Sequence, residues 1–162
     1  MHSYQPRACR TYRVSVAPQV VPDLLGPDCS LHRLHLSSVE LYGTFTARFG
    51  NAAVCSTALR SLQLSTCGLR GPLPELRLPA LQKLSLYRND FTGGLEPLRG
   101  CTALKELGLT DNLLTGDAEA LRGCAELQKL YLVGNQLHLT DEDRAHFTKL
   151  CGRIHEPHQF RI

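Results

Sequence analysis

His155, Glu156 and His158 are the first residues to suggest chemistry, because two imidazoles and a carboxylate within a few positions resemble a metal-ligand set. A metal needs a further ligand held at fixed distance, and the segment "HEPHQFRI" contains a proline and supplies no such partner. His32 and His35 lie three apart in a strand-like stretch, which turns them to opposite faces. The seven cysteines are an odd number and form no CxxC or CxxxxC pair, which disfavours both a zinc site and a fully paired disulfide framework. No GxxxxGK[ST] loop, HExxH helix or GxSxG elbow occurs. The expectation is a chain without catalytic residues, metal or cofactor.

What the chain offers instead is recognition chemistry. Arg33, His35, Lys83, Tyr87, Arg88, Glu106, Asp111, Lys129 and Tyr131 recur at similar places relative to a leucine pattern. Tyrosine presents an apolar ring with a polar tip, and it is enriched with arginine at binding hot spots. These residues make one site only if the fold carries them to one face. The elements beneath them therefore decide the question.

The phrase LxxLxL starts at Leu31, Leu59, Leu81, Leu104 and Leu127, at intervals of 28, 22, 23 and 23 residues. The two cleanest copies are "LQKLSLYRNDFTGGLEPLRGCTA" and "LKELGLTDNLLTGDAEALRGCAE", and they agree even at Thr92/Thr115, Gly93/Gly116 and Cys101/Cys124. This is a tandem array. In "LKELGL", Leu107 and Leu109 point to one side of a short strand while Glu106, Gly108 and Thr110 point to the other. One such strand buries little, so the copies must stack as a parallel sheet. Leu34, Leu62, Leu84, Leu107 and Leu130 then form one buried column, and Leu36, Leu64, Leu86, Leu109 and Leu132 the next. The same register sends the recognition residues to the outward face, with the rings of Tyr87 and Tyr131 about 10 Å apart over a floor at Gly108.

Asn89, Asn112 and Asn135 follow the strands where the chain must turn into the core, and a buried amide there satisfies orphaned backbone groups. Cys67 holds this slot in the second unit and Val39 in the first, which makes the Val39 turn the least regular. The return halves place Leu95, Leu98 and Cys101, then Ala118, Leu121 and Cys124, at inward spacings of three that suit a helical or 3₁₀ turn. Arg122 falls on this outer path. Cys29, and more loosely Cys55, extend the series of buried thiols.

The ends differ from the middle. Thr140 can cap a helix over about 141–151 whose first turn is acidic, and Phe147, Leu150, Cys151 and Ile154 form its apolar stripe. Residues 152–162 are a tail. Residues 1–30 are an N-terminal extension that reads equally as a degenerate unit, with Val14 and Val16 in the leucine columns, or as a single strand followed by a Pro-rich loop. The long first interval places about five extra residues within "GTFTARFGNAAVCSTA".

With 162 residues, 43% of them hydrophobic, the chain suits one domain, and a net charge of +3 favours no class of partner. Its first twenty residues contain no apolar segment of signal-peptide length, and nothing approaches a bilayer span. The expected location is the cytoplasm or another intracellular compartment.

The motif LxxLxLxx(N/C)xL, matched from Leu59, Leu81, Leu104 and Leu127, resembles that of the leucine-rich repeat proteins. "LRGPLPEL" at Leu69 to Leu76 is similar to the LxGx(I/L)P continuation of the plant-type subclass. The resemblance implies an α/β solenoid, with a parallel sheet on the concave face, short helical or 3₁₀ turns on the convex face, and usually a protein bound to the concave side. The expected function is a non-enzymatic protein-interaction module or scaffold subunit, as a monomer or within a larger complex, with no membrane insertion. A nucleic-acid-associated accessory role through Arg33, Lys83, Arg88 and Lys129 is disfavoured, because Glu106 and Asp111 interrupt the basic track. A recognition fragment of a receptor is the other alternative.

Overall fold

The computed structural model describes residues 12–13, 31–39, 41, 43–44 and 57–151. Cys9, Cys29, Cys55, Ile154, His155, Glu156 and His158, together with the extra residues of the first interval, lie outside these. The strands are β1 Tyr12–Arg13, β2 Arg33–Ser37, β3 Gly43–Thr44, β4 Ser61–Ser65, β5 Leu69–Pro72, β6 Lys83–Ser85, β7 Asp90–Gly93, β8 Glu106–Gly108, β9 Leu113–Gly116, β10 Lys129–Tyr131 and β11 Gln136–Leu137. One helix, α1, spans Asp141–Cys151. All pairings between these strands are parallel, as a right-handed coil of stacked units requires.

The concave sheet runs β1-β2-β4-β6-β8-β10. Leu34 pairs with Leu62, Leu62 with Leu84, Leu84 with Leu107, and Leu107 with Leu130, so the first leucine column is in register along the array. Both columns are almost completely buried. At about 2 kcal/mol per buried leucine, an upper figure because unfolded chains also bury surface, these columns carry much of the stability. Tyr12, two residues ahead of Val14, pairs with Leu34. In backbone register, Tyr12 rather than Val14 therefore stands opposite Leu34.

A second sheet, β11-β9-β7-β5-β3, follows each turn. The leucine motif did not announce it, because β5, β7, β9 and β11 each contribute one buried side chain, Leu69, Phe91, Leu114 and Leu137. The available signal was glycine: Gly71, Gly93 and Gly116 all have positive φ, from 79° to 87°. Side chains rarely adopt that conformation, so a glycine recurring near the end of a short strand marks where each unit bends onward. The 3₁₀ turns Glu96–Leu98 and Glu119–Gly123 then cross the convex side.

The turn asparagines are deeply engaged. Asn89 Oδ1 accepts the backbone N–H groups of Cys67 and Leu69, both at 3.1 Å, and Nδ2 donates to the carbonyls of Leu64, Leu86 and Tyr87 at 2.8, 3.0 and 3.2 Å. Asn112 accepts from Phe91 N–H and donates to Leu86 and Leu109, while Asn135 accepts from Leu114 N–H and donates to Leu109 and Leu132. Cys67 does part of this work, its thiol donating to the carbonyls of Leu36 and Ser65 at 3.5 and 3.4 Å.

The residues just before this slot, Ser38, Thr66, Arg88 and Asp111, have φ between 53° and 57°, and Gly134 has 70°. Left-handed backbone disfavours a side chain, and four non-glycine residues hold it because the flanking ladder dictates the turn.

Cys101 and Cys124 lie in the inward slot of adjacent units, with at most 1% of their surface exposed. Their thiols donate to the carbonyls of Leu76 and Cys101 at 3.5 and 3.4 Å. Burial pushes Cys101 up to about 11 against a backbone hydrogen bond, and raises Cys124 as well. Thiolate is the reactive form, so both should resist an alkylating reagent until the protein unfolds. Mass spectrometry after native labelling checks this, and rapid modification of both would contradict the packing.

Helix α1 closes the end of the array. Thr140 Oγ1 accepts the N–H of Asp143 at 3.1 Å, and Asp143 Oδ2 accepts the N–H of Thr140 at 3.0 Å, a reciprocal cap. Asp143 is almost completely buried, and its other oxygen accepts from Arg122 Nη2 at 2.7 Å. Arg122 thus leaves the outer turn to hold the helix. The outer-path position read from the repeat holds for its backbone, while its side chain turns to the helix.

Candidate functional site

Cross-strand pairing sorts the concave face into rows. The first reads Arg33, Ser61, Lys83, Glu106, Lys129, and the second His35, Gln63, Ser85, Gly108, Tyr131. Tyr87 lies two residues beyond β6, next to Arg88. Every residue expected on this face from the leucine register falls in these rows or at the adjacent strand edge.

Glu106 stands between two cations. Its Oε2 lies 2.5 Å from Lys83 Nζ, and its Oε1 pairs with Lys129. Hydrogen bonds from Lys129 and then Lys83 hold its carboxyl below the usual range, although partial burial opposes them. Lys83 and Lys129 keep 43% and 55% of their side-chain surface exposed, so each retains donors for another anion. At the far edge, Arg88 Nε approaches Asp111 Oδ2 at 3.5 Å, with both side chains at least half exposed. An exposed pair of this kind adds little stability.

The two tyrosines do not stand apart. Their ring centroids are 6.2 Å from each other at an interplanar angle of 64°, an edge-to-face contact. The separation expected from strand spacing fails because Gly108, which has no side chain, lets the Tyr87 ring lean over it. A Cβ at Gly108 would lie 2.3 Å from Tyr87 Cζ and Oη. Burial first, then Tyr131 and Glu106, push Tyr87 up to about 12, so its phenol stays protonated.

Beside this pair is a hollow of about 170 Å³ lined by Gln63, Lys83, Leu84, Ser85, Tyr87, Glu106, Leu107, Gly108 and Tyr131. Its floor is partly leucine and its rim carries charge at one end and phenols at the other. Arg33 and His35, on β2, lie four strands from Tyr131 along the rows and do not line it. Arg88 and Asp111 stay at the edge. The hollow therefore unites Lys83, Glu106, Tyr87 and Tyr131, with Lys129 bound to Glu106 beside it.

The leucine pattern also passed over a further row at the strand entrances. Backbone bonds link His32, Arg60, Gln82, Lys105 and Gln128 across neighbouring strands. Arg60 is exposed, and Lys105 pairs with Glu126 at 3.4 Å. Alternation alone could not assign this row, because it precedes the paired residues of each strand. Among the described residues, no three metal-ligating side chains converge, and no helix is long and apolar enough to cross a membrane.

A family model described as leucine rich repeat matches residues 79–137. No curated protein matches the chain. A solved structure that does match is the leucine-rich repeat ectodomain of the receptor kinase SOBIR1 from Arabidopsis thaliana, 26% identical, with a TM-score of 0.62. The match covers 76% of this chain and 66% of that one, so this chain spans just under two thirds of the ectodomain. The in-register leucine columns, the buried asparagine slots and these two likenesses agree: residues 79–137 carry leucine-rich repeats, and the described chain folds as a leucine-rich repeat solenoid similar to the plant-type ectodomain.

Proposed function

We propose that this chain is a non-enzymatic interaction module that receives a partner protein on its concave sheet, at the hollow between Lys83, Glu106, Tyr87 and Tyr131. The observation that carries the reading is the tyrosine pair. Two half-buried phenol rings braced against each other form a rigid wall beside a leucine floor, so an inserted side chain loses water without ordering the site. The hollow has room for about one side chain. Free thiols at Cys67, Cys101, Cys124 and Cys151 support an intracellular, reducing location, set against the ectodomain setting of SOBIR1.

Tyr131→Ala should weaken partner binding by about tenfold or more. Tyr87→Ala should do the same and also loosen the sheet locally, because its ring covers Gly108. Arg99, exposed on the convex turn, is the control. The test is quantitative capture of partners from cells by the native chain and by Tyr131→Ala and Arg99→Ala. Partners kept by Arg99→Ala and lost by Tyr131→Ala support the concave site. Loss only with Arg99→Ala moves the interface to the convex side.

A further inference from the structure

We infer that the partner presents an extended acidic segment, which crosses the strands along their entrance edge and places one apolar side chain in the hollow. This inference rests on the concave docking site proposed above and adds the chemistry of its occupant.

Charge is unevenly distributed over the concave face. The row His35, Gln63, Ser85, Gly108, Tyr131 carries no fixed charge, and at the far edge Arg88 is offset by Asp111. From β2 to β10 of the concave sheet, the positive charges gather in the first row and the row before it. There Arg33, Arg60, Lys83, Lys105 and Lys129 face two carboxylates, Glu106 and Glu126, giving five minus two, or +3. A uniformly solvated surface would spread this excess; here it forms a strip along one side of the hollow.

Geometry fixes the form of the occupant. From β2 to β10 the strip crosses five strands, about 19 Å at 4.8 Å spacing, which an extended chain covers with about six residues. Lys83 lies on the strip and lines the hollow, so a carboxylate on the strip and a neighbouring side chain in the hollow can belong to one short segment. Nucleic acid fits less well. Glu106 and Glu126 interrupt the phosphate track, and Tyr87 and Tyr131 are turned edge to face on each other. Base stacking needs an open ring face beside a continuous basic groove.

The test uses fluorescence anisotropy on the full chain, with a labelled heptapeptide of six glutamates around a central leucine. The comparison probes are its glutamine counterpart and a labelled oligothymidine of similar length. The acidic peptide should bind at least about tenfold more tightly than the glutamine peptide at low salt. The double variant Arg33→Ala with Arg60→Ala should abolish most of that difference while its melting curve stays close to native, since both side chains are exposed. Equal binding of the two peptides would overturn the acidic preference while leaving the docking site standing. Absence of binding by either peptide would also overturn it, and the Tyr131→Ala capture experiment would still judge the site separately. Tighter binding of the oligothymidine, with a steep fall in affinity as salt rises, would replace the acidic segment with nucleic acid.

Discussion

Asn89→Ala is expected to destabilise the array by about 3 kcal/mol, because it orphans buried backbone groups whose loss costs about 1–3 kcal/mol each before relaxation. The side chain accepts two N–H groups, from Cys67 and Leu69, and donates to three carbonyls. Water cannot replace it readily, since Asn89 itself is only 6% exposed and its surroundings are leucine. Asn89→Cys should cost less than the alanine change. Cys67 shows that a thiol in this slot still reaches two carbonyls, although sulfur is a weak donor and leaves the N–H groups without their oxygen. Urea melts of the three proteins decide it. An alanine variant within about 0.5 kcal/mol of native would mean that the amide is not what holds the turn.

Asp143→Ala should cost about 3 kcal/mol as well, through a different mechanism. It removes the side-chain half of the reciprocal cap of α1, since the bond from the N–H of residue 143 to Thr140 Oγ1 survives, and leaves the Thr140 N–H and the buried end of the Arg122 guanidinium without their carboxylate. Burial alone would raise this carboxyl, but the Thr140 bonds and Arg122 outweigh it and hold it below the ordinary value of 3.8. A depressed folded pKa means that the stabilisation is fully present above about 3.8 and disappears as pH falls through the lower folded value. Thermal melts from neutral pH to about pH 2 should therefore show a flatter acid limb for Asp143→Ala than for the native chain, though Glu106, depressed for its own reason, contributes to both. Identical acid limbs would contradict a stabilising role for this carboxylate.

The solenoid was legible because its core is written by one residue type at one spacing, and a column such as Leu34 to Leu130 can be aligned by eye. What escaped was whatever depends on a side chain leaving its own unit. Arg122 occupies an outer-turn position in the repeat, and only the folded chain shows it reaching 21 positions onward to Asp143. Asp143 read as an ordinary acidic residue in a first helical turn, whereas the fold buries it. The tyrosines were assigned to the correct face, but their contact depends on a ring leaning over the glycine of an intervening strand. Strand spacing fixes where a side chain starts and says nothing about where it ends. The second sheet escaped for the opposite reason, since its repeated glycines are visible but carry little of the apolar pattern.

The polar ladders inside the array also give it a polarity. Asn89 bonds back to the unit of Cys67, Asn112 to the unit of Phe91, and Asn135 to the unit of Leu114. The thiols of Cys67, Cys101, Cys124 and Cys151 likewise all point toward the N-terminal side, to carbonyls at Leu36, Leu76, Cys101 and Leu127. Each turn is thus completed by the unit that comes after it. A cut from the front keeps the turn backbone of the new first unit satisfied and costs only that unit's own amide or thiol its partners, whereas a cut from the back leaves the last turn with unclaimed backbone N–H and carbonyl groups. The two ends of this array are not equivalent as places for growth: units added at the back repair what precedes them, in the order in which a ribosome delivers them.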